Sequence, residues 1–379
     1  MGQAVRTVAL ELQPCCGNRS GVGRYTYELA KRVRDGDGLR YCGNLFNFCG
    51  RNDNSDALRG IGMPVNESRV FPYGVYRRIW NVVPLRYDSL FPARADLTVF
   101  FNYIVPPRLR GKVITTIHDM TYLRFPETMD ARNRRRLEEG LARSVARSDR
   151  LLTVSEFSKR EIMELLHIPA EKIRVVYSAP GFSETAAPPE ALSVKYGIRG
   201  PYLLYVGTIE PRKNLVRLIR AYELLRAEGG VSHQLVLAGG SGWQNAEILQ
   251  AARDSRYSED IRFTGYLSEA EKNGLYRGAD LFVFPSLYEG CGMPPLEAMH
   301  WGCPVLVSRA ASLPEVVGDA AETADPLDEA DIAAGIRRVL SDPAYANTLR
   351  EKGYAQTRAF SWEDSARRLD AACREVLEE

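Results

Sequence analysis

Two carboxylates and two adjacent cations, each pair in a short loop behind an apolar run, are the residues of this chain best suited to chemistry. Glu289-Gly-Cys-Gly-Met-Pro-Pro-Leu-Glu297 follows the apolar run LFVFPS (281–286) and leads into LEAMHWG, which has helical character. Gly290 and Gly292 let backbone approach a ligand closely. Pro294 and Pro295 suit the first turn of a helix, where free amides point at whatever anion or hydroxyl sits there. This places Glu289 in the loop and Glu297 one turn into the helix. Polyhydroxylated ligands need such acceptors, because an ionised carboxylate takes two hydroxyl hydrogen bonds and its charge strengthens both. The bland alternative makes Glu289 a turn residue and Glu297 an acid favoured by the helix dipole.

The second loop is Val206-Gly-Thr-Ile-Glu-Pro-Arg-Lys-Asn-Leu215, ahead of an amphipathic helix, LVRLIRAYELL. Arg212 and Lys213 at a helix N-terminus oppose the helix dipole. They make better sense if an anion such as a diphosphate completes the site, with solvated surface cations as the alternative.

Strands alternating with helices must position these loops. Thr7 to Leu12 reads as a buried strand, and a glycine loop, Gly17 to Gly23, opens the helical stretch YTYELAKRV. LTVFF (97–101), KVITTIHD (112–119) and RLLTVS (150–155) follow, with helical patterns such as Arg132 to Arg147 between them. After Val176 the pattern breaks into SAPGFSETAAPPE, an expected linker, and then restarts with YLLYVGT, HQLVLAGG, IRFTGYL, LFVFPS and PVLVSR. Buried strands alternating with helices specify parallel sheets covered on both faces, and ligands of such sheets bind beyond the carboxyl ends of the strands. The expected organisation is an N-terminal Rossmann-like domain over 1–180, a linker over 181–198, a second Rossmann-like domain over 199–360, and a C-terminal helix over 361–379 that can pack back on the N-terminal domain, capped by Ser361 with Asp364 three residues on.

Composition sets the outer bounds. A chain of 379 residues with 45% hydrophobic content is long for one core and suits two domains. Seven scattered cysteines without a CxxC pair fit reduced thiols and a cytoplasmic setting. No run of 18 apolar residues is present, so a soluble or peripherally bound protein is expected. Residues 1–180 hold 29 Lys and Arg against 19 Asp and Glu, a net +10, so the remainder carries −8 for the whole chain to reach +2. A basic half points either to an anionic partner or to a solvated arginine-rich surface.

Taken together, these motifs resemble glycosyltransferase family 4, retaining enzymes of the two-domain architecture called GT-B, and the resemblance covers nearly the whole chain. It implies an α/β fold of two Rossmann-like doubly wound domains facing across a cleft, the first binding the acceptor and the second the nucleotide sugar. It implies that Glu289 binds sugar hydroxyls, that Glu297 holds the ribose, and that Lys213 and Arg212 sit on the donor diphosphate. Gly207, Gly292, Met293 and Pro294 join the donor site. Many members carry arginine directly after the loop glycine; this chain has Thr208, and Arg212 is expected to supply that charge. Gly21 and Gly23 resemble the N-terminal glycine loop beside the donor phosphate, His118 the histidine that contacts the donor sugar, and Tyr266 and Leu267 the lining of the nucleobase pocket through backbone groups. His118, Glu289, Arg212 and Lys213 are the expected catalytic set.

The resemblance implies attack of an acceptor hydroxyl on the anomeric carbon with configuration retained, without a metal and without a cofactor beyond the donor. No carboxylate is placed as a nucleophile, so front-face attack is expected over double displacement. Similarity of VGTIEPRKNL and YEGCGMPPLEA to bacterial mannosyltransferases of polysaccharide assembly favours GDP-mannose as donor, with UDP-glucose, UDP-N-acetylglucosamine and a deoxyhexose donor open. The acceptor is expected to be a glycan or a polyprenyl-diphosphate-linked oligosaccharide of O-antigen, capsule or exopolysaccharide synthesis. Arg132, Arg134, Arg135, Arg136, Arg143 and Arg147 on one helix, with Tyr73, Tyr76, Arg77, Arg78 and Trp80, are expected to form a face for anionic lipid at the inner side of the cell membrane.

Other classes fit less well. A nucleic-acid binder would show a zinc spacing, an RNP-like run or a helix-turn-helix, and none is seen. An NAD-dependent dehydrogenase would need GxGxxG spacing that GNRSGVG lacks. A non-catalytic nucleotide-sugar sensor shares every binding residue and differs only in turnover.

Overall fold

The apolar runs pair side by side into two parallel sheets. The computed structural model describes residues 5–16, 21–50, 58, 60–181 and 185–379; Gly17 to Ser20 of the expected glycine loop and residues 182–184 of the expected linker lie outside them. The first sheet orders its strands β3-β2-β1-β4-β5-β6-β7: β1 (Arg6–Glu11), β2 (Leu39–Phe46), β3 (Val65–Ser68), β4 (Leu97–Phe100), β5 (Lys112–Thr116), β6 (Arg150–Thr153) and β7 (Ile173–Val175). The second orders them β10-β9-β8-β11-β12-β13: β8 (Tyr202–Val206), β9 (Gln234–Ala238), β10 (Ile261–Gly265), β11 (Leu281–Phe284), β12 (Val305–Ser308) and β13 (Glu322–Ala324). Every pairing between these strands is parallel.

Burial explains the composition of the strands. β4, β6, β8, β9, β11 and β12 are buried at every position, as a sheet covered by helices on both faces requires. In each sheet the strand order reverses once, between β1 and β4 in the first and between β8 and β11 in the second. At such a switch the loops leaving neighbouring strands diverge and open a crevice beyond the carboxyl ends, so each sheet carries one built-in ligand position.

Contacts divide the chain into two units. The first takes Met1–Met120, Ala131–Ser178 and Ser361–Glu379; the second takes Thr121–Asp130 and Ala179–Phe360. Two boundaries therefore differ from the sequence expectation, and the placing of the terminal helix follows it. Residues 121–130, expected in the first domain, belong to the second unit, where the Trp243 indole N–H donates to the Thr128 carbonyl at 2.5 Å and the Phe125 ring lies 5.5 Å from that of Tyr288. The expected linker ends in a helix, Pro189–Tyr196, and the Ala187 amide just ahead of it donates to the Ala270 carbonyl at 2.8 Å within the second unit. The terminal helix, Trp362–Glu378, belongs to the first unit: Ser361 accepts from the Asp364 amide at 3.0 Å, and Asp370 accepts from the Tyr41 hydroxyl at 2.7 Å.

Part of the expected glycine loop is helical. The helix Gly21–Arg32 already includes Gly21 and Gly23, so both stand in its first turn, where glycine costs helix propensity. A Cβ at Gly21 would meet no other atom within 4 Å, so packing inside the first unit does not demand glycine there.

Candidate active site

The second sheet's switch point is where the two chemical loops meet. The loop after β8 runs through Gly207 to a 3-10 turn, Pro211–Lys213, and the loop after β11 runs from Pro285 to Gly292. Backbone ties them: the Leu287 amide donates to the Arg212 carbonyl at 3.0 Å, and the Arg212 guanidinium donates to the Tyr288 carbonyl at 2.5 Å. Asn214, held at φ 62°, closes the turn and donates from Nδ2 to Pro285 and Pro326 carbonyls at 3.1 and 2.6 Å.

These ties bring charges together. Lys213 Nζ lies 2.6 Å from Glu289 Oε1, Arg212 Nη1 lies 3.0 Å from Glu289 Oε2, and Arg212 Nη2 lies 2.8 Å from Glu210 Oε1. Glu289, Lys213 and Glu210 are all buried, with Lys213 over the Phe284 ring at 5.3 Å. Burial alone would raise the Glu289 carboxyl, but Arg212 and Lys213 bring it down to about 2. Burial and the neighbouring Arg212 lower the Lys213 pKa, and Glu289 and Glu210 oppose that. The cluster is two cations balanced by two carboxylates. Glu210 is a member that the sequence pattern does not single out, although it sits two residues before Arg212 in the same loop.

Glu297 lies on the following helix, Met293–His300, one turn in. Its Oε2 is 2.9 Å from Lys272 Nζ and accepts from the Tyr276 hydroxyl at 3.3 Å. Both partners come from the helix Glu269–Gly278, to which no motif points. Gly292 caps the Met293–His300 helix at φ 81°, and Pro294 follows within its first turn. The Ser312 hydroxyl donates to the Glu289 carbonyl at 2.9 Å and fixes the loop from the other side. Tyr266 and Leu267 follow β10 beyond Gly265, with Tyr266 78% exposed. The geometry can hold an anion on Arg212 and Lys213 and hydroxyl groups on Glu289 and Glu297.

His118 belongs to the first unit, just beyond β5. Its Nε2 donates to the Phe101 carbonyl at 2.7 Å, which leaves Nδ1 as the acceptor of a neutral ring. The ring packs edge-on against Tyr25, 5.2 Å between centroids, and burial lowers its pKa against the opposing pull of the Phe101 carbonyl and Asp119.

One expected surface does not form as read. Tyr76 and Trp80 are buried, in a cluster of rings with Phe46 and Tyr87, because an aromatic side chain hides far more apolar area inside than at a surface. Arg147 turns to the Leu109 and Gly111 carbonyls, and Arg136 is half-buried. Arg132, Arg135 and Arg143 remain exposed.

Comparison with known proteins bears on the whole chain. The family model described as Glycosyltransferase Family 4 matches residues 19–179, and that described as Glycosyl transferases group 1 matches residues 190–356. The chain is 39% identical to the O-antigen chain mannosyltransferase B of Escherichia coli, over 91% of this chain and 93% of that one. Its fold is that of sucrose-phosphate synthase from Thermosynechococcus elongatus, with a TM-score of 0.73 at 19% identity over 98% and 99% of the two chains. It is also that of WaaG, a glycosyltransferase involved in lipopolysaccharide biosynthesis, with a TM-score of 0.65 at 16% identity over 95% and 97%. With two Rossmann-like units and matches along both, this chain belongs to glycosyltransferase family 4.

Proposed function

We propose that the protein transfers mannose from GDP-mannose, with retention of configuration and without a metal, to a hydroxyl of a glycan or lipid-linked oligosaccharide in bacterial surface polysaccharide synthesis. The observation that carries this reading is the buried cluster of Arg212, Lys213 and Glu289 at the switch point of the second sheet. The name of the Escherichia coli relative supports mannose as the sugar.

In this reading the donor diphosphate takes over Arg212 and Lys213, and Glu289 turns to the sugar hydroxyls. The acceptor oxygen forms a bond to the anomeric carbon while the bond from that carbon to the phosphate oxygen breaks, and the leaving phosphate oxygen receives the acceptor proton. Negative charge grows on the diphosphate as the bond breaks. Two fixed cations in a buried site stabilise that growth by an amount that, for one such donor, is typically roughly 3–4 kcal/mol. Glu297 holds the ribose, and the backbone at Tyr266 and Leu267 lines the base. His118, whose Nε2 donates to the Phe101 carbonyl, keeps the sugar-contact role that the family resemblance implies.

The basic face of the first unit rests on anionic membrane in this account. Arg132, Arg135 and Arg143 are exposed, and elsewhere in the first unit so are Val70, Val75 and Val82. Among the described residues no helix is long and apolar enough to cross a membrane. Sedimentation with anionic vesicles, reversed by salt, tests the contact.

The deciding experiment screens GDP-mannose against UDP-sugars by thermal shift and nucleotide release, in the wild type and in Glu289→Ala and Lys213→Ala. Stabilisation and turnover by GDP-mannose alone, lost in both variants, supports the proposal. Turnover with a UDP-sugar replaces the donor. Stabilisation without turnover when acceptor is present makes the protein a nucleotide-sugar sensor.

A further inference from the structure

The first sheet has a switch point of its own, between β1 and β4, and the donor reading leaves it unused. A cavity of about 80 Å³ opens there, lined by Glu11 at the end of β1, Phe100 at the end of β4, and Tyr73, Arg77 and Arg136 from two helices. A second cavity of about 290 Å³ shares Arg77 and Arg136 and adds Trp80, Arg143 and Arg147. The first is small beside the roughly 300–1,000 Å³ of sites that enclose a whole ligand and suits one charged group of a larger molecule, and the second lies at the lower edge of that range.

The lining is unusual in what it lacks. Arg77 Nε and Arg136 Nε are buried without a hydrogen-bond partner, and so is Glu11 Oε1, on a side chain only 4% exposed. Of the other carboxylate on the lining, Glu139, one oxygen is taken by Arg135 at 2.6 Å. Burial raises Glu11 to about 8 against the hydrogen bond from the Gln13 backbone and the pull of Arg136 and Arg77, so at neutral pH it is mostly a neutral acid with a proton to donate. Burial and the repulsion of Arg77 lower the Arg136 pKa. Two half-buried guanidiniums beside a neutral carboxyl leave two positive charges that Glu11 does not balance, and buried polar groups left unpaired cost free energy that a fitting ligand recovers.

We infer that Arg77, Arg136 and Glu11 form a binding site for a phosphoryl group carried by the acceptor, at the switch point of the first sheet. Guanidiniums grip phosphoryl oxygens in pairs of parallel hydrogen bonds, and the protonated Glu11 donates a further one. The larger cavity along Arg143 and Trp80 takes the part of the acceptor next to that group. The inference rests on the transferase reading for the word acceptor, and on the cavity alone for the anion.

The test uses the full chain carrying Lys213→Ala, which removes a second-unit cation that would also attract phosphate. Pyrophosphate binding is followed by calorimetry, and Arg77→Gln and Arg136→Gln are each expected to weaken it roughly tenfold or more, the loss typical of a charged hydrogen bond. Near-ultraviolet circular dichroism verifies that both variants keep their packing. Around Glu11 stand Arg77, Tyr73, Arg136, Cys16 and Tyr87. Binding falls as pH rises past about 8, where Glu11 ionises, and Glu11→Gln abolishes that fall. Unchanged pyrophosphate binding in both arginine variants overturns the site. So does loss of sedimentation with phosphatidylglycerol vesicles alone, which assigns the arginines to a membrane surface. With Lys213 restored, phosphorylated acceptor analogues must outperform neutral mannosides in kcat/KM, and Arg136→Gln must erase the difference; equal use of both also overturns it. The GDP-mannose thermal shift is read in the same Lys213-restored proteins. Its absence in the wild type defeats the transferase reading while pyrophosphate binding still decides the site.

Discussion

Lys213 and Glu289 are 76 residues apart in sequence, yet their side chains meet at 2.6 Å, both buried, with Arg212 on the second carboxylate oxygen. With Glu210 on Arg212, the cluster is charge-balanced before any donor arrives. In the proposed reading the donor diphosphate takes the place of the Glu289 carboxylate on these two cations.

Glu289→Gln upsets that balance and leaves one buried positive charge uncompensated. Removing one partner of a buried pair typically costs roughly 3–5 kcal/mol, so the melting temperature falls. GDP, which carries the diphosphate without the sugar, then restores more stability to the variant than to the wild type. Thermal shift with and without GDP measures this, and equal shifts in the two proteins would place the diphosphate elsewhere. Because the Glu289 pKa is depressed, the cluster's stabilisation is complete above about pH 4.5 and is lost as pH falls toward 2.

Glu11 works in the opposite sense. Its pKa is raised from 4.5 to about 8, so between those values the folded chain binds more protons than the unfolded one and stability declines as pH rises. Every tenfold difference in proton affinity between the folded and unfolded chain is worth about 1.4 kcal/mol. Glu11→Gln carries no proton to lose, so its stability relative to the wild type should grow from pH 5 to pH 9. Melting temperatures across that range in a phosphate-free buffer check it, and parallel curves would show that Glu11 is ionised in the fold.

How far these sites could be read from sequence follows from where their residues stand. The second unit's loops announce themselves, since glycine, proline and charge sit directly behind apolar runs. Nothing in the spacing shows that Lys213 turns to Glu289, or that Lys272 covers Glu297, because both contacts depend on which strands become neighbours. The first unit's pocket is hidden more completely. Glu11 lies inside the run VALEL and reads as part of a strand, and Arg77 and Arg136 are about sixty residues apart on helices whose arginines read as surface. Strands β2, β3 and β13 also escape the sequence pattern. β2 carries Gly43 and Asn44 within its apolar run, and a Cβ at Gly43 would lie 2.3 Å from Leu12 Cδ1, so that buried side chain would have to shift. β3 and β13 have four and three residues and little apolar pattern.

Lys272 Nζ lies 2.9 Å from the Glu297 carboxylate that the proposed reading assigns to the ribose. If Glu297 takes the ribose hydroxyls, its substitution by Gln weakens GDP binding by roughly tenfold, the lower end for a charged hydrogen bond. The variant should also bind a nucleotide lacking those hydroxyls as well as it binds GDP. The wild type should prefer GDP. Calorimetry on the four combinations isolates the contact, and a preference that survives Glu297→Gln would assign the ribose to another group.

Gly292 joins the two carboxylates mechanically. It sits at φ 81° and ψ 65°, three residues after Glu289 and immediately before the helix that carries Glu297. An alanine Cβ there would approach Leu313 Cδ2 to 2.5 Å, and the left-handed backbone costs an L-residue roughly 1–2 kcal/mol by itself. Gly292→Ala must relieve that strain by moving the loop, so Glu289 and Glu297 change places relative to one another. The expected result is a modest fall in melting temperature with a larger fall in kcat/KM, because a misplaced acceptor loses orientation as well as energy. Gly292→Asn, which tolerates the left-handed region better, should retain more activity than Gly292→Ala despite its larger side chain. Adding Leu313→Ala removes the clash and leaves the backbone strain, so it should rescue Gly292→Ala only in part. Full rescue would make the contact with Leu313 the whole reason for glycine, and undiminished kcat/KM in Gly292→Ala would show that the spacing of the two carboxylates does not depend on this residue.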